Sequence, residues 1–238
     1  MLFFAFSTVS ARAATQCVIL LHGLTKDSRS MRPLQRQLVD AGYYTVNIDY
    51  PSRERPIAEL SEQAVQAGLE QCARVNAAPV NFVTHSLGGL LVRHYFEQHS
   101  PQGVNRVVMM APPNNGSRVG DILSCIPIIK DVNGPAGRQL GTGAGSVPRQ
   151  LGPARFDLGI IAGNRSYNPI ASLLLSGADD GRIAVDSARL EGMCSFLVLP
   201  HTHGSIAGDE QAISQAVQYL QRGYFSGAGA EQFDCAAD

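Results

Sequence analysis

Residues 80–89, Val-Asn-Phe-Val-Thr-His-Ser-Leu-Gly-Gly, switch periodicity within two positions, and that switch constrains the rest of the chain. Val80, Phe82 and Val83 form an almost uninterrupted apolar run, the pattern of a parallel strand covered on both faces. Leu87, Leu90, Leu91, His94 and Tyr95 then recur at helical spacing, predicting a helix from about Leu87 to His99. Only one residue, Ser86, is left for the corner. A turn that tight strains the corner backbone and pushes its side chain outward, above the sheet and beside the helix N-terminus. Gly88 and Gly89 supply the small neighbours that let the helix pack back onto the strand. A serine that simply caps a helix would leave the same local pattern. A functional reading therefore needs a base, an acid and an oxyanion site from elsewhere in the chain.

The 238 residues suffice for one α/β domain with a real core. We expect residues 15–238 to form that single domain. A formal net charge of −1, with Lys and Arg scattered along the chain, gives no basic stripe for nucleic acid and no polybasic segment for anionic lipid. Residues 1–14 differ from the rest. An apolar run, Met1 to Phe6, is followed by Ala11-Arg12-Ala13, which fits a small-residue cleavage site, so the segment reads as a signal peptide or an apolar N-terminal tail. Export, to the periplasm or outside the cell, would permit disulfides among Cys17, Cys72, Cys125, Cys194 and Cys235. Cys17 opens the first strand and Cys72 closes a helix before the Ser86 strand, which favours that pair. Cys194 with Cys235 would tie down the C-terminal tail. The alternative is a set of buried, reduced cysteines.

Strands are expected at Cys17–Leu21, Tyr43–Tyr50, Val80–His85, Val104–Met110, Phe156–Ala162 and Ser195–Leu199. Helices are expected from Ser28 or Ser30 to Gly42, over Ile57–Ala77, after Ser86, and over Glu210–Arg222. Residues 170–175 fit either element, and the tail from Gly223 has no clear pattern. Alternation of this kind implies an α/β fold with a mostly parallel sheet and helices on both faces. Ligands then gather at the carboxyl ends of the strands, where His22, Asp49 and Ser86 fall. Periodicity breaks down over 114–153, an insertion that reads either as a small cap or lid over the site or as a surface loop.

A serine hydroxyl needs a base within hydrogen-bond reach, and the base needs an acid to orient it. The loop Pro200-His201-Thr202-His203-Gly204, after the last predicted strand, supplies two candidate bases, His201 and His203. Asp179 and Asp180, in a turn between Ser86 and that loop, are the candidate acids, although such a turn is often merely solvated. Asp186 and Glu191 are weaker rivals. The oxyanion site needs two preorganised N–H donors. Leu87 N–H at the helix N-terminus and Leu24 N–H, in the loop His22-Gly23-Leu24, are the expected pair, with His22 bracing that loop.

Together, His22-Gly23-Leu24, Thr84-His85-Ser86-Leu87-Gly88-Gly89, Asp179-Asp180-Gly181 and Pro200-His201-Thr202-His203 resemble a bacterial α/β-hydrolase of the lipase and esterase group. Ala111-Pro112-Pro113-Asn114-Asn115-Gly116-Ser117 adds to the likeness, which spans roughly residues 17–222. The resemblance implies the α/β-hydrolase fold and favours Asp180 over Asp179 and His203 over His201. It implies a small-molecule or lipid ester substrate, an acyl-serine intermediate, no cofactor and a transient lipid interface. Thr84 departs from the usual glycine of the G-x-S-x-G motif. The expected site is then Ser86, His203 and Asp180, with Leu24 and Leu87 as oxyanion donors. Thioesterase or acyltransferase action by the same residues, and a non-catalytic binding protein on this scaffold, remain alternatives. A metal site on His201 and His203 lacks a third ligand cluster.

Overall fold

A computed structural model describes residues 15–124 and 127–235. The N-terminal segment 1–14 and Cys125 lie outside the described residues. In chain order the elements are β1 (Cys17–Leu21), α1 (Arg32–Asp40), β2 (Tyr44–Ile48), α2 (Ile57–Arg74), β3 (Val80–His85), α3 (Leu87–Gln98) and β4 (Val104–Met110). There follow α4 (Arg118–Ser124), α5 (Pro127–Arg138), α6 (Val147–Gln150), β5 (Leu158–Gly163), α7 (Pro169–Leu174), α8 (Val185–Ala188), β6 (Ser195–Leu199), α9 (Glu210–Arg222) and β7 (Ala230–Gln232). The described residues build a seven-stranded sheet in the order β2-β1-β3-β4-β5-β6-β7, parallel except for the β6–β7 pair.

The strands β1, β3, β5 and β6 are buried along nearly their whole length because both faces of the sheet are covered there. In β1, Cys17, Ile19 and Leu21 join a core with α2 and α3, whereas Val18 and Leu20 face the core built with α1 and α9. Register aligns the strand ends that matter. Leu21 pairs with Ile48 on one side and Thr84 on the other, and His85 pairs with Met110. His22, Asp49 and Ser86 therefore emerge along one carboxyl edge of the sheet, as alternation predicts.

Several boundaries differ from the sequence reading. Asp27, not Ser28 or Ser30, caps the first helical segment, accepting from Arg29 N at the start of a 3₁₀ turn that runs into α1. α2 stops at Arg74 rather than Ala77. The ambiguous stretch 170–175 is helical as far as Leu174, started by Pro169 and capped by the Asn168 side chain. The tail contains a strand. β7 adds to the sheet edge, secured by Ser195 Oγ donating to Glu231 O, by the Arg189–Glu231 ion pair and by a disulfide.

Both expected disulfides form. Cys17–Cys72 ties β1 to α2 with a Cα separation of 5.9 Å, and Cys194–Cys235 ties β6 to the tail at 4.9 Å. Such pairs fit maturation in an extracellular or periplasmic environment.

The segment 114–153 holds α4, α5 and α6. α5 is kinked at Gly134 (φ 63°), where a Cβ would run into the Arg53 carbonyl, so only glycine fits. Both ends of the segment are fastened by Arg93 of α3. Its buried guanidinium donates to Asn114 O and Oδ1 at one end and to Leu151 O and Gly152 O at the other. Burial pulls the Arg93 pKa down to about 10.

Candidate active site

Ser86 sits where β3 turns into α3, with φ 52° and ψ −118°, a strained geometry for a residue with a side chain. Its amide donates to Met110 O at 2.9 Å, locking the corner to β4. α3 can approach β1 because Gly88 has no side chain. A Cβ there would lie 2.5 Å from Leu21 O. Thr84, the departure from the glycine motif, is fully buried. Gly89 makes the room, since a Cβ on it would sit 3.3 Å from Thr84 Oγ1 and 3.1 Å from Met109 Sδ. Of the two glycines after the serine, Gly88 thus makes room for β1 and Gly89 for the branched Thr84.

The structure brings Ser86, His203 and Asp180 into one hydrogen-bonded chain. His203 Nε2 lies 3.0 Å from Ser86 Oγ, and His203 Nδ1 lies 2.8 Å from Asp180 Oδ2. An ionised Asp180 only accepts, so the network assigns the imidazole proton to Nδ1 and leaves Nε2 to accept from the serine hydroxyl. The other carboxylate oxygen, Oδ1, accepts from Arg182 N at 2.9 Å and Ile183 N at 2.7 Å, and His203 N donates to Asp180 O at 2.9 Å. Both side chain and backbone of Asp180 therefore orient His203.

The neighbouring candidates point elsewhere. Asp179 Oδ1 accepts from Gly181 N and Ser172 Oγ, shaping the turn. His201 Nε2 is 3.0 Å from Asp209 Oδ1, the residue that caps α9. Asp186 and Glu191 take no part in the hydrogen bonds that link Ser86, His203 and Asp180: Asp186 carries a highly exposed carboxylate beside Arg189. Among the described residues, no three His, Cys, Asp or Glu side chains converge as a metal set.

Leu24 and Leu87, the expected oxyanion donors, flank Ser86. Their amides donate to no protein acceptor among the described residues. The loop that carries Leu24 lies against the corner, since a Cβ on Gly23 would come within 3.2 Å of Ser86 Cβ. His22 braces this loop, as expected. Its Nδ1–H donates to Gly23 O, Nε2 accepts from Tyr50 N, and its ring stacks on Tyr50 at 4.0 Å. The Tyr50 hydroxyl donates to His22 O. Burial keeps the His22 pKa below the usual histidine value.

One contributor went unnoticed in the sequence beyond its place in the motif. His85 is buried, and its Nε2–H donates to His203 O at 2.9 Å. Its ring lies 5.1 Å from that of His203, and its Nδ1 is 2.8 Å from where a Gly23 Cβ would be. Burial, followed by the nearby His203, pushes its pKa down to about 3, so it stays neutral. A histidine directly before the corner serine was the available signal.

Above Ser86 opens a cleft of ≈ 160 Å³, lined by Leu24, Val119, Gly137, Leu140 and Ile183 with Lys26 and Arg182 among its polar residues. Three of these apolar positions come from 114–153. An alcohol bonded to a neutral imidazole, itself held by a carboxylate, can lose its proton as it attacks an electrophilic carbon.

The family model described as alpha/beta hydrolase fold matches residues 16–141. No curated protein sequence matches the chain. Among solved structures, it resembles the mature lipase BlEst2 of Bacillus licheniformis, with 19% identity, 89% of this chain and 94% of that one covered, and a TM-score of 0.70. It also resembles the phospholipase PlaB of Legionella pneumophila, at 17% identity over 88% of this chain and 60% of that one, TM-score 0.65. A third likeness is to YbtT, the type II thioesterase of the yersiniabactin pathway, at 16% identity over 91% and 97%, TM-score 0.59.

Proposed function

From the premise that the chain belongs to the α/β-hydrolase family, we propose that it is a serine hydrolase cleaving carboxylic esters through an acyl-Ser86 intermediate. The observation that carries this reading is the 3.0 Å contact between Ser86 Oγ and His203 Nε2, backed by Asp180. Ser86 Oγ attacks the ester carbonyl while His203 Nε2 takes its proton, and Asp180 stabilises the imidazolium. The amides of Leu24 and Leu87 receive the oxyanion. His203 then protonates the leaving alcohol. A water molecule, deprotonated in turn by His203, releases the acid and restores the serine.

In the same proposal, 114–153 acts as a cap, since Val119, Gly137 and Leu140 form cleft wall. Residues 1–14 serve as an export signal for a single domain, 15–238, in keeping with the two disulfides.

The test is labelling by a fluorophosphonate probe, together with turnover of chromogenic oxyesters and matched thioesters. Labelling at Ser86, lost in Ser86→Ala, with oxyester turnover is expected. Faster turnover of thioesters would move the assignment to a thioesterase. Absence of both labelling and turnover would leave a binding protein on this scaffold.

A further inference from the structure

The cleft above Ser86 is small. Sites that hold drug-sized ligands enclose about 300–1,000 Å³, against ≈ 160 Å³ here. At about 30 Å³ for each water-sized group, that is room for about five non-hydrogen atoms. An ester carbonyl seated at Ser86 uses part of it, so a few carbons fill the remainder.

The apolar surface ends inside the cleft. Leu140 and Ile183 are buried, and Leu24 and Val119 are partly buried. The exposed residues of the lining are Thr25, Lys26, Arg182 and Gly204, none of them apolar. A chain that outgrew the cleft would meet cations and water there, with no further apolar wall to cover it.

The walls are also fastened. Residues 114–117 are sewn to the loop that carries Ile183. Asn114 Nδ2 donates to Ala188 O at 2.8 Å, Asn115 N to Ser187 O at 2.9 Å and Ser117 Oγ to Arg182 O at 2.9 Å, while Ser187 Oγ returns a bond to Gly116 O at 2.6 Å. Leu140 is held from two directions. Its carbonyl accepts from Ser117 N at 2.8 Å, and the Oε1 of neighbouring Gln139 accepts from Ile57 N at 2.7 Å. The carboxylate of Asp121 ties α4, which bears Val119, to Thr142 N and Oγ1. Leu140 and Ile183 belong to the main core as well. Widening the cleft would break several of these contacts at once.

The leaving oxygen must lie beside His203 Nε2 to be protonated. Gly204, next to that base, is exposed, so the alcohol leaves toward water. The apolar part of the cleft, against Leu24, Val119 and Leu140, is left for the acyl chain.

We propose that the substrate is an ester of a short-chain acid, acetyl to butyryl, and that Val119 and Leu140 set this limit. The proposal deepens the serine-hydrolase reading and rests on it.

Turnover of p-nitrophenyl esters from acetyl to octanoyl, each kept monomeric in solution, tests it. In a long apolar groove every further methylene would raise kcat/KM about four-fold. Here kcat/KM should peak no later than butyryl and fall at octanoyl to at most about one tenth of the butyryl value, the scale of forcing extra methylenes into a fixed space. Leu140→Ala and Val119→Ala should each raise the octanoyl-to-butyryl ratio at least about five-fold. The ratio does not depend on how much of a variant folds, and Val119, only partly buried, is the milder change of the two. Wild-type turnover of octanoyl equal to or above butyryl would overturn the chain-length limit and leave the hydrolase reading standing. Unchanged ratios in both variants would overturn the assignment of the limit to these walls. Absence of turnover for every ester would overturn both readings.

Discussion

His85 Nε2 lies 2.9 Å from the carbonyl oxygen of His203, so the residue before the candidate nucleophile holds the backbone of the candidate base. One buried ring spans the corner at Ser86, the loop at Gly23 and the loop that carries His203. His85→Leu should therefore lower kcat by about 10–100-fold with KM nearly constant, the scale seen when a group that orients a functional side chain is lost. His85→Gln, whose amide can donate, should recover part of it. Equal activity in all three proteins would remove the role.

The same residue makes stability depend on pH. Its pKa is about 3 in the fold against 6.5 when unfolded, so between those values the unfolded chain binds a proton that the fold refuses. The contribution is full above 6.5 and is lost as pH falls toward 3, at about 1.4 kcal/mol per pH unit. Urea midpoints measured across that range should fall more steeply for the wild type than for His85→Gln. Parallel curves would contradict the assignment.

Asp180 and Asp179 should separate cleanly. Asp180→Asn replaces the acceptor-only carboxylate that fixes the His203 tautomer with an amide that can also donate, and should cost about 10³–10⁴ in kcat. Asp179→Asn weakens the bonds to Gly181 N and Ser172 Oγ, and should cost about 1–3 kcal/mol of stability while kcat stays within roughly ten-fold. A larger kcat loss at Asp179 would reverse the assignment.

Thr84 and Gly89 should be energetically coupled. Gly89→Ala adds a Cβ close to Thr84 Oγ1 and Met109 Sδ and should destabilise by about 1–3 kcal/mol. In a Thr84→Ala background the cost should shrink, with a coupling of at least about 0.5 kcal/mol. Strict additivity in chemical denaturation would show that the two do not share space.

The disulfides should differ in accessibility more than in strength. Closing loops of 55 and 41 residues, each bond contributes about 4 kcal/mol by chain entropy. Cys17 and Cys72 are fully buried, whereas Cys235 is partly exposed. Timed reduction under native conditions with mass mapping should open Cys194–Cys235 first. Earlier loss of Cys17–Cys72 would contradict this.

Six strands and the corner at Ser86 were legible because period and composition are local properties of buried parallel strands. β7 was not. Ala230–Gln232 is three residues long, half exposed and paired only at an edge, so it carries no apolar signature. Spacing alone left Asp179 beside Asp180 and His201 beside His203. Which neighbour turns inward depends on loop contacts such as His203 N to Asp180 O, between residues far apart in sequence. The hydrogen bond between His203 and Asp180 joins the two residues that family resemblance favoured. The positioning by His85 was hidden for the same reason, its partner lying 118 residues away.

Arg93 gathers Asn114, Leu151 and Gly152 onto a single point of α3. A stretch that leaves and returns through one knot is modular. Changes between those anchors leave the sheet's register alone provided Gly134 keeps its approach to Arg53 and Ala136 and Leu140 keep their places in the core, while whatever the stretch drapes over Ser86 changes with it. On the proposed reading as an ester hydrolase with a cap, substrate range would be governed chiefly by this stretch, which makes 115–150 the place to vary when a new acyl preference is sought.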